Sequence, residues 1–426
     1  MNLKVLSRTP KIAILFVLFL FGCAVPGRGP LVVTDRSSPD VRLSPEIQLL
    51  DVPIQKIRVA IDQDGRVHAL ALTSKPPELH HLIIGIEGVL KREVVTGSAS
   101  YDHLDIAFDS SGSLHAIVDE DHFVLEDGVW RTLQKHHCIK FISGEEDLFC
   151  LSRVEGKDVG AAADVDWYFI AGAGYGGGGC CLIPLPHHPD KLVLARKTSE
   201  GWSKLALFDA ETKFEMRYAA IAADNSGTLH VLYNSAEGGS LRAEQCAYAR
   251  IEPMTAKKAS QSKQSYSSDH EEAPRTFANV SGQVLVTRRN PSFLSCQDIA
   301  VDPETGTALI TIMEGYGERF QSYSRIVESG KIGWNVLMYD FDGMIDVEPA
   351  GERRFLALGV WSDQGSPTKT WFIYYLEYHD GMWSAPVELG KNIHVGNVAF
   401  LSDLDRRAFA LWTKKDGRPV GRWIER

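Results

Sequence analysis

The chain has 426 residues, 44% of them hydrophobic, and a formal net charge of −10. A chain of this length and composition can bury a large core. Its acidic balance argues against nucleic acid, whose binding rests on neutralising phosphates, and basic pairs such as Lys257-Lys258 and Arg353-Arg354 are short and isolated.

At the front, Lys4, Arg8 and Lys11 flank the apolar run Ile12–Gly22. That run is too short to span a bilayer and fits the core of a signal peptide. It ends at Leu20-Phe-Gly-Cys23, which resembles a bacterial lipobox. The resemblance implies cleavage after residue 22, acylation of Cys23 (a palmitate-type anchor) and a place in the cell envelope. Ala24 behind the Cys implies the outer membrane. Residues 23–45, rich in Pro, Gly, Ser and charge, read as a flexible tether. The folded domain is expected over 46–426, and no other stretch is long and apolar enough to cross a membrane.

One hairpin then recurs. Its copies are Ile61-Asp-Gln-Asp-Gly-Arg-Val-His-Ala-Leu70, Ala107-Phe-Asp-Ser-Ser-Gly-Ser-Leu-His-Ala116, Ala222-Ala-Asp-Asn-Ser-Gly-Thr-Leu-His-Val231 and Ala300-Val-Asp-Pro-Glu-Thr-Gly-Thr-Ala-Leu309. The Asp carboxylate can accept the backbone N–H groups that a tight turn leaves unpaired. The Gly tolerates positive φ. The flanks mix β-branched and large apolar residues, as strands do. A second signal follows, a polar turn ending in Gly and Trp: Asp127-Gly-Val-Trp130, Glu200-Gly-Trp202, Gly333-Trp334 and Asp380-Gly-Met-Trp383. Two hairpins so joined make a four-stranded sheet, one blade of a β-propeller.

The expected fold is therefore all-β, a single β-propeller of about seven four-stranded blades, with six or eight as alternatives. Inner hairpins are placed near Arg58, Leu104, Ile139, Ala219, Asp298, Arg353 and Asn397. The last segment offers strands at Val398–Leu401, Ala408–Thr413 and Val420–Glu425. Its missing outer strand is assigned to 46–52, so that both termini close the ring and remove an open edge.

Two insertions, 156–190 and 255–275, break the rhythm. The first holds a glycine run without the Gly-Lys-Ser/Thr ending of a phosphate loop. It reads as a covering loop or as a lid in which Trp167 and Tyr175 stack on a sugar. Of seven Cys, six remain beyond Cys23, an even number that suits disulfides in an exported protein. Cys138 and Cys150 flank one hairpin, Cys246 and Cys296 bracket the second insertion, and Cys180-Cys181 are adjacent; reduced, buried thiols are the alternative.

His68, His115 and His230 share one repeat position, three residues after the turn Gly. If that position rings an axis, three imidazoles could take a divalent metal. The competing reading is packing, each ring bonded to a neighbouring strand. Leu309 at the fourth copy supports packing. No cofactor beyond that metal is expected. Gly-x-Ser-x-Gly, His-Glu-x-x-His and Cys-x-x-Cys motifs are absent from the sequence.

The pattern Ile-Ala-x-Asp-x-x-Gly-x-x-His, followed by Asp-Gly-x-Trp, resembles sialidase-like propellers with BNR-type repeats over much of 56–426. The Arg-Ile-Pro element and the strict Ser-x-Asp-x-Gly-x-Thr-Trp box of that family are missing; Leu125-Glu-Asp-Gly-Val-Trp130 keeps part of the latter. No catalytic residue is carried over. The expectation is a lipid-anchored envelope propeller that binds a glycan or an envelope protein. A carbohydrate-active enzyme (glycosidase or polysaccharide lyase) and a purely structural envelope component are the alternatives.

Overall fold

The structure is a computed structural model. It describes residues 39–96, 104–109, 111–118, 121–135, 140–143, 148–154, 166–169, 182–185, 191–198, 201–209, 214–237, 243–253, 278–289, 294–316, 319–338, 345–363, 370–403 and 407–426. Among them every regular element is a β-strand. The strands form seven antiparallel sheets of four or five strands and a separate two-stranded ribbon.

The first sheet holds Ile54–Ile61, Val67–Thr73, Leu79–Gly85 and Gly88–Thr96, and the second Leu104–Phe108, Leu114–Val118, Asp121–Glu126 and Val129–Lys135. The third holds Lys140–Ser143, Leu148–Val154, Lys191–Thr198 and Gly201–Asp209, and the fourth Phe214–Ala223, Leu229–Glu237, Ala243–Pro253 and Ala278–Arg289. In the fifth, Leu294–Val301, Ala308–Tyr316 and Arg319–Glu328 are followed by the short outer pieces Lys331–Ile332 and Val336–Leu337. The sixth likewise has Ile345–Pro349, Phe355–Ser362 and Trp371–His379, then Met382–Trp383 and Val387–Lys391. The seventh consists of Ile393–Ser402, Arg407–Lys414 and Pro419–Glu425, with Arg42–Leu43 and Ile47–Gln48 on its outer edge.

This is the strand order of propeller blades. Each first strand lies beside the first strand of the next sheet, and that of the seventh lies beside that of the first. The core is accordingly a series of layers between sheet faces. Leu70, Leu72 and Leu79 of the first sheet pack with Ile106, Leu114 and Ala116 of the second. Ile57, Val67 and Leu82 of the first pack with Phe409, Leu411 and Trp423 of the seventh. The last layer is tight. A Cβ on Gly421 would lie 2.2 Å from the Phe409 ring, so the glycine lets Phe409 pack against Trp423 at a ring separation of 4.9 Å.

The repeated turn explains the regularity. Asp62 Oδ1 accepts the backbone N–H groups of Asp64 and Arg66 at 3.0 and 2.8 Å. Asp109 Oδ1 does the same for Ser111 and Ser113, and Asp224 Oδ1 for Ser226 and Thr228. Asp302 Oδ1 takes Glu304 and Thr305, the extra residue shifting the second donor. The glycines have φ of +73°, +81°, +76° and +65° at Gly65, Gly112, Gly227 and Gly306. The outer hairpins use another device. Asp127-Gly128 and Asp380-Gly381 are positive in φ at both residues, the two-residue turn whose twist matches paired strands.

The sequence left two boundaries to be corrected. Arg353 lies in the turn of the sixth sheet, whose first strand begins at Ile345. The seventh sheet receives its outer strand from the front of the chain as expected, but pairing begins before 46. Arg42 opposes Glu425 and Ile47 opposes Gly421, with a break at Pro45, which has no N–H to give the ladder. The expected tether thus ends within the sheet. The seventh sheet also carries an Asp turn that departs from the repeated sequence pattern. Asp403 Oδ1 accepts Arg407 N at 2.7 Å, although no Gly stands between them.

Turns also bind sheet to sheet. Asp302 Oδ2 accepts Arg353 N of the sixth sheet at 2.6 Å, and Asn225 N of the fourth donates to Pro303 O of the fifth at 2.9 Å. Asp302→Ala should therefore cost about 3 kcal/mol in urea unfolding, because a buried carboxylate that holds several N–H groups is lost. Asp64→Ala, at an exposed turn position, should cost under about 0.5 kcal/mol. Equal losses from the two substitutions would remove the turn from this role.

Candidate functional site

The three histidines proposed as metal ligands are on three different sheets, and each is bonded within its own. His68 Nε2 lies 3.2 Å from Asp62 Oδ2, and its Nδ1 lies 3.0 Å from His81 Nε2. His115 stands between Asp109 Oδ2 and His122 Nε2, both at 2.9 Å. His230 Nδ1 is hydrogen-bonded to the Tyr248 hydroxyl at 2.8 Å, while its Nε2, 3.7 Å from Asp224 Oδ2, has no hydrogen-bond partner. Among the described residues no group of three or more His, Cys, Asp or Glu is arranged to hold a metal ion. The convergence that a metal would need is not found there, and the packing alternative describes the rings.

The partner position is regular. His68, His115 and His230 oppose Ile83, Val124 and Arg250, and the bonding ring stands two residues earlier on that strand: His81, His122 and Tyr248. This is the diagonal neighbour of an antiparallel pair. In the fifth sheet Leu309 opposes Ile326, the diagonal residue is Ser324, and Ser324 Oγ accepts Trp383 Nε1 of the sixth sheet at 2.9 Å. With no imidazole available, Asp302 Oδ2 turns to Arg353 N instead. In the seventh sheet Asp403 Oδ2 takes the Arg407 guanidinium at 2.8 Å. In the first, second, fifth and seventh sheets the second carboxylate oxygen finds a donor, whose identity varies. Sequence reasoning missed His122 and Tyr248 because the diagonal offset appears only once strands are paired.

In the first sheet the relay extends further. His81 Nδ1 is 2.8 Å from Glu93 Oε1, and Glu93 Oε2 pairs with Lys91. Phe108 and Trp130 of the second sheet meet the two imidazoles edge-on. Burial pushes His68 and His81 below the ordinary histidine range, and the bonds to Asp62 and Glu93 do not cancel it. Burial and the Arg92 charge do the same to His80. Burial raises Asp62 and Glu93, but hydrogen bonds from Arg66 and His68, and from His81 and Lys91, hold both below the usual carboxylate range. Burial pushes Tyr248 up to about 12.

A second buried cluster lies in the fifth sheet. Tyr323 donates to Glu314 Oε1 at 2.5 Å, and the two residues are 3% and 2% exposed. Arg325 beside them donates to Leu285 O of the fourth sheet at 3.1 Å and to Asn335 Oδ1. The cluster is closed to solvent and ties two sheets together. The Trp residues of the second repeat divide: Trp383 is 1% exposed between the fifth and sixth sheets, whereas Trp334 is 64% exposed.

Of the cysteines, Cys246 and Cys296 are joined, their Cα atoms 5.5 Å apart. The bond links the third strand of the fourth sheet to the first strand of the fifth, and its loop encloses the second insertion. Cys150 opposes Phe141 in the third sheet; Cys23, Cys138, Cys180 and Cys181 lie outside the described residues. Tyr175 does as well. Trp167 belongs to the ribbon Asp166–Phe169, where it opposes Pro184 of Leu182–Leu185. The ribbon stands between the second and third strands of the third sheet, while the second insertion joins the third and fourth strands of the fourth sheet. In alternating strands these connections fall at opposite ends of the sheets.

No family model matches the chain, and no curated protein does. Solved structures resemble it weakly. The polysaccharide lyase Uly1 superposes over 88% of this chain and 90% of its own, with a TM-score of 0.49 and 8% identity. The alpha-L-arabinanase of Penicillium chrysogenum, solved with arabinobiose, covers 91% of this chain and 98% of its own, at a TM-score of 0.41 and 10% identity. A protein of unknown function from Dyadobacter fermentans covers 94% of this chain and 100% of its own, at a TM-score of 0.44 and 8% identity. Likeness of this degree carries no argument about activity.

Two measurements probe these features. The unfolded chain protonates its histidines near pH 6.5, whereas buried His68, His80 and His81 take protons only at lower pH. Stability is thus complete above about pH 6.5 and falls as pH drops through the window below it. A second loss follows below about pH 4, as the carboxylates with lowered values are protonated. The thermal midpoint should be level from about pH 8 to 7 and decline from about pH 6 to 5; a midpoint that stays constant down to pH 5 contradicts buried neutral rings. Separately, the Cys246–Cys296 bond closes a loop of 50 residues, for which chain entropy gives about 4 kcal/mol. Cys246→Ser with Cys296→Ser should lower unfolding free energy by a comparable amount.

Proposed function

We propose that the seven sheets are the blades of one closed seven-bladed propeller and that it serves as a binding module of the bacterial cell envelope. Closure is supported by the apolar layer between first and seventh sheets and by the N-terminal strands on the last sheet. It is supported also by equivalent turn contacts at two junctions. A Cβ on Gly306 would lie 2.8 Å from Asp224 Oδ2 of the preceding sheet, and one on Gly65 2.6 Å from Arg407 Nη2 of the seventh. The first sheet thus stands to the seventh as the fifth does to the fourth.

The observation that carries the binding role is the ribbon Asp166–Phe169 with Leu182–Leu185. It is a two-stranded addition that no blade requires, and its sequence Asp-Trp-Tyr-Phe is dense in aromatic residues. Connections of that kind on a rigid scaffold are where recognition is usually placed, and aromatic faces suit sugar rings. A glycan is therefore the preferred ligand, with an envelope protein as the alternative partner. Anchoring follows from the lipobox at Cys23, with the outer membrane as the compartment.

One observation favours an enzyme instead. The first strands carry Lys56, Arg58, Asp105, Asp298, Asp346 and Glu348, so they offer acids and bases rather than an apolar plug. A glycosidase would need two of these acids facing each other across a pocket.

A glycan array probed with the soluble chain from residue 24, which lacks Cys23, tests the reading. Selective binding that Trp167→Ala lowers about tenfold is expected. Bound glycans then go to a reducing-end assay, where turnover would favour the enzyme. A blank array, followed by cross-linking to one envelope protein, would replace the glycan by that protein.

A further inference from the structure

A groove of about 830 Å³ follows the junction of the sixth and seventh sheets. Its floor is apolar. Leu389 is buried there, and at Gly390 a Cβ would lie 2.9 Å from the Trp412 ring. Its walls are charged. Lys414 Nζ is neutralised by Glu46 Oε1 at 2.5 Å, and Asp416 is neutralised by Arg418, which is outside the groove, at 2.6 Å. Lys391, Lys415 and Arg422 remain, and no acidic group among the described residues pairs with them. Only Glu388 adds an opposing unpaired charge to the lining. The Nε of Arg422 is withdrawn from solvent and has no acceptor.

A local surplus of cations on a chain of net charge −10 concentrates anions at that spot. A guanidinium in the lining adds a charged donor group of the kind that suits a carboxylate or phosphate. The groove also stands at a chosen end of the fold. Asn392 connects the outer edge of the sixth sheet to the first strand of the seventh, and Lys415 lies between the second and third strands of the seventh. Both connections fall at the same end of the sheets as the aromatic ribbon.

We propose that this groove binds an oxyanion, a carboxylate or phosphate group, held by Lys391, Lys415 and Arg422. Resting on the glycan reading above, the anion is the carboxylate of an acidic polysaccharide. Glu388 disfavours any second negative group at its wall and sets the direction in which such a chain lies.

The test is isothermal titration of the full chain in neutral detergent with a galacturonate hexamer, its methyl-esterified counterpart and inorganic phosphate. The acidic hexamer should bind with an affinity that falls as salt rises, and the esterified one at least about tenfold more weakly. Lys391→Glu with Lys415→Glu, both at exposed positions, should lower affinity for the acidic hexamer at least about tenfold and leave the thermal midpoint unchanged. Arg422→Gln should weaken it by a similar factor. Phosphate binding that the same variants abolish, with neither hexamer bound, would uphold the oxyanion site and overturn the glycan reading. No anion binding at all, binding indifferent to charge reversal, or binding only to vesicles of phosphatidylglycerol would overturn the proposal.

Discussion

The rest of the structure depends on a turn carboxylate that recurs in five of the seven sheets. A hairpin turn leaves backbone N–H groups that the strand ladder cannot pair, and leaving them bare inside a packed junction would be costly. In the first, second, fourth, fifth and seventh sheets an Asp oxygen accepts them. The turn then has one conformation, and the register of the first two strands is set. In a strand a one-residue slip would exchange the two faces. Both faces of a blade are buried against neighbours, so that slip would ruin two apolar layers at once.

The second oxygen of the same carboxylate links the turn to its surroundings. It meets an imidazole in the first and second sheets, a backbone N–H of the next sheet in the fifth, and a guanidinium in the seventh. The histidines that share a repeat position are one of several solutions to a single bonding requirement. The buried rings of His68, His80 and His81 give the first sheet an acid-sensitive side, because a proton added to them must be held away from water.

The two ends of the sheets differ in consequence. One carries the Asp turns, short and bonded to their neighbours across junctions. The other carries the ribbon Asp166–Phe169 with Leu182–Leu185 and the groove with Lys391, Lys415 and Arg422.

Local patterns determined much of this. Asp and Gly at fixed spacing define a turn through short-range hydrogen bonds, so four first hairpins, the Asp-Gly outer turns and the all-β class were legible in the sequence. The Cys246–Cys296 pair was legible as well, from its position around an insertion. The seventh turn was not, since Asp403 works there without a glycine. Which groups meet was decided only by tertiary structure. The diagonal partners His81, His122 and Tyr248 depend on strand register, the handover of Asp302 to Arg353 on two sheets meeting, and the groove on Gly390 beside Trp412. Those contacts join residues far apart in the chain, and no local pattern encodes the distance between them.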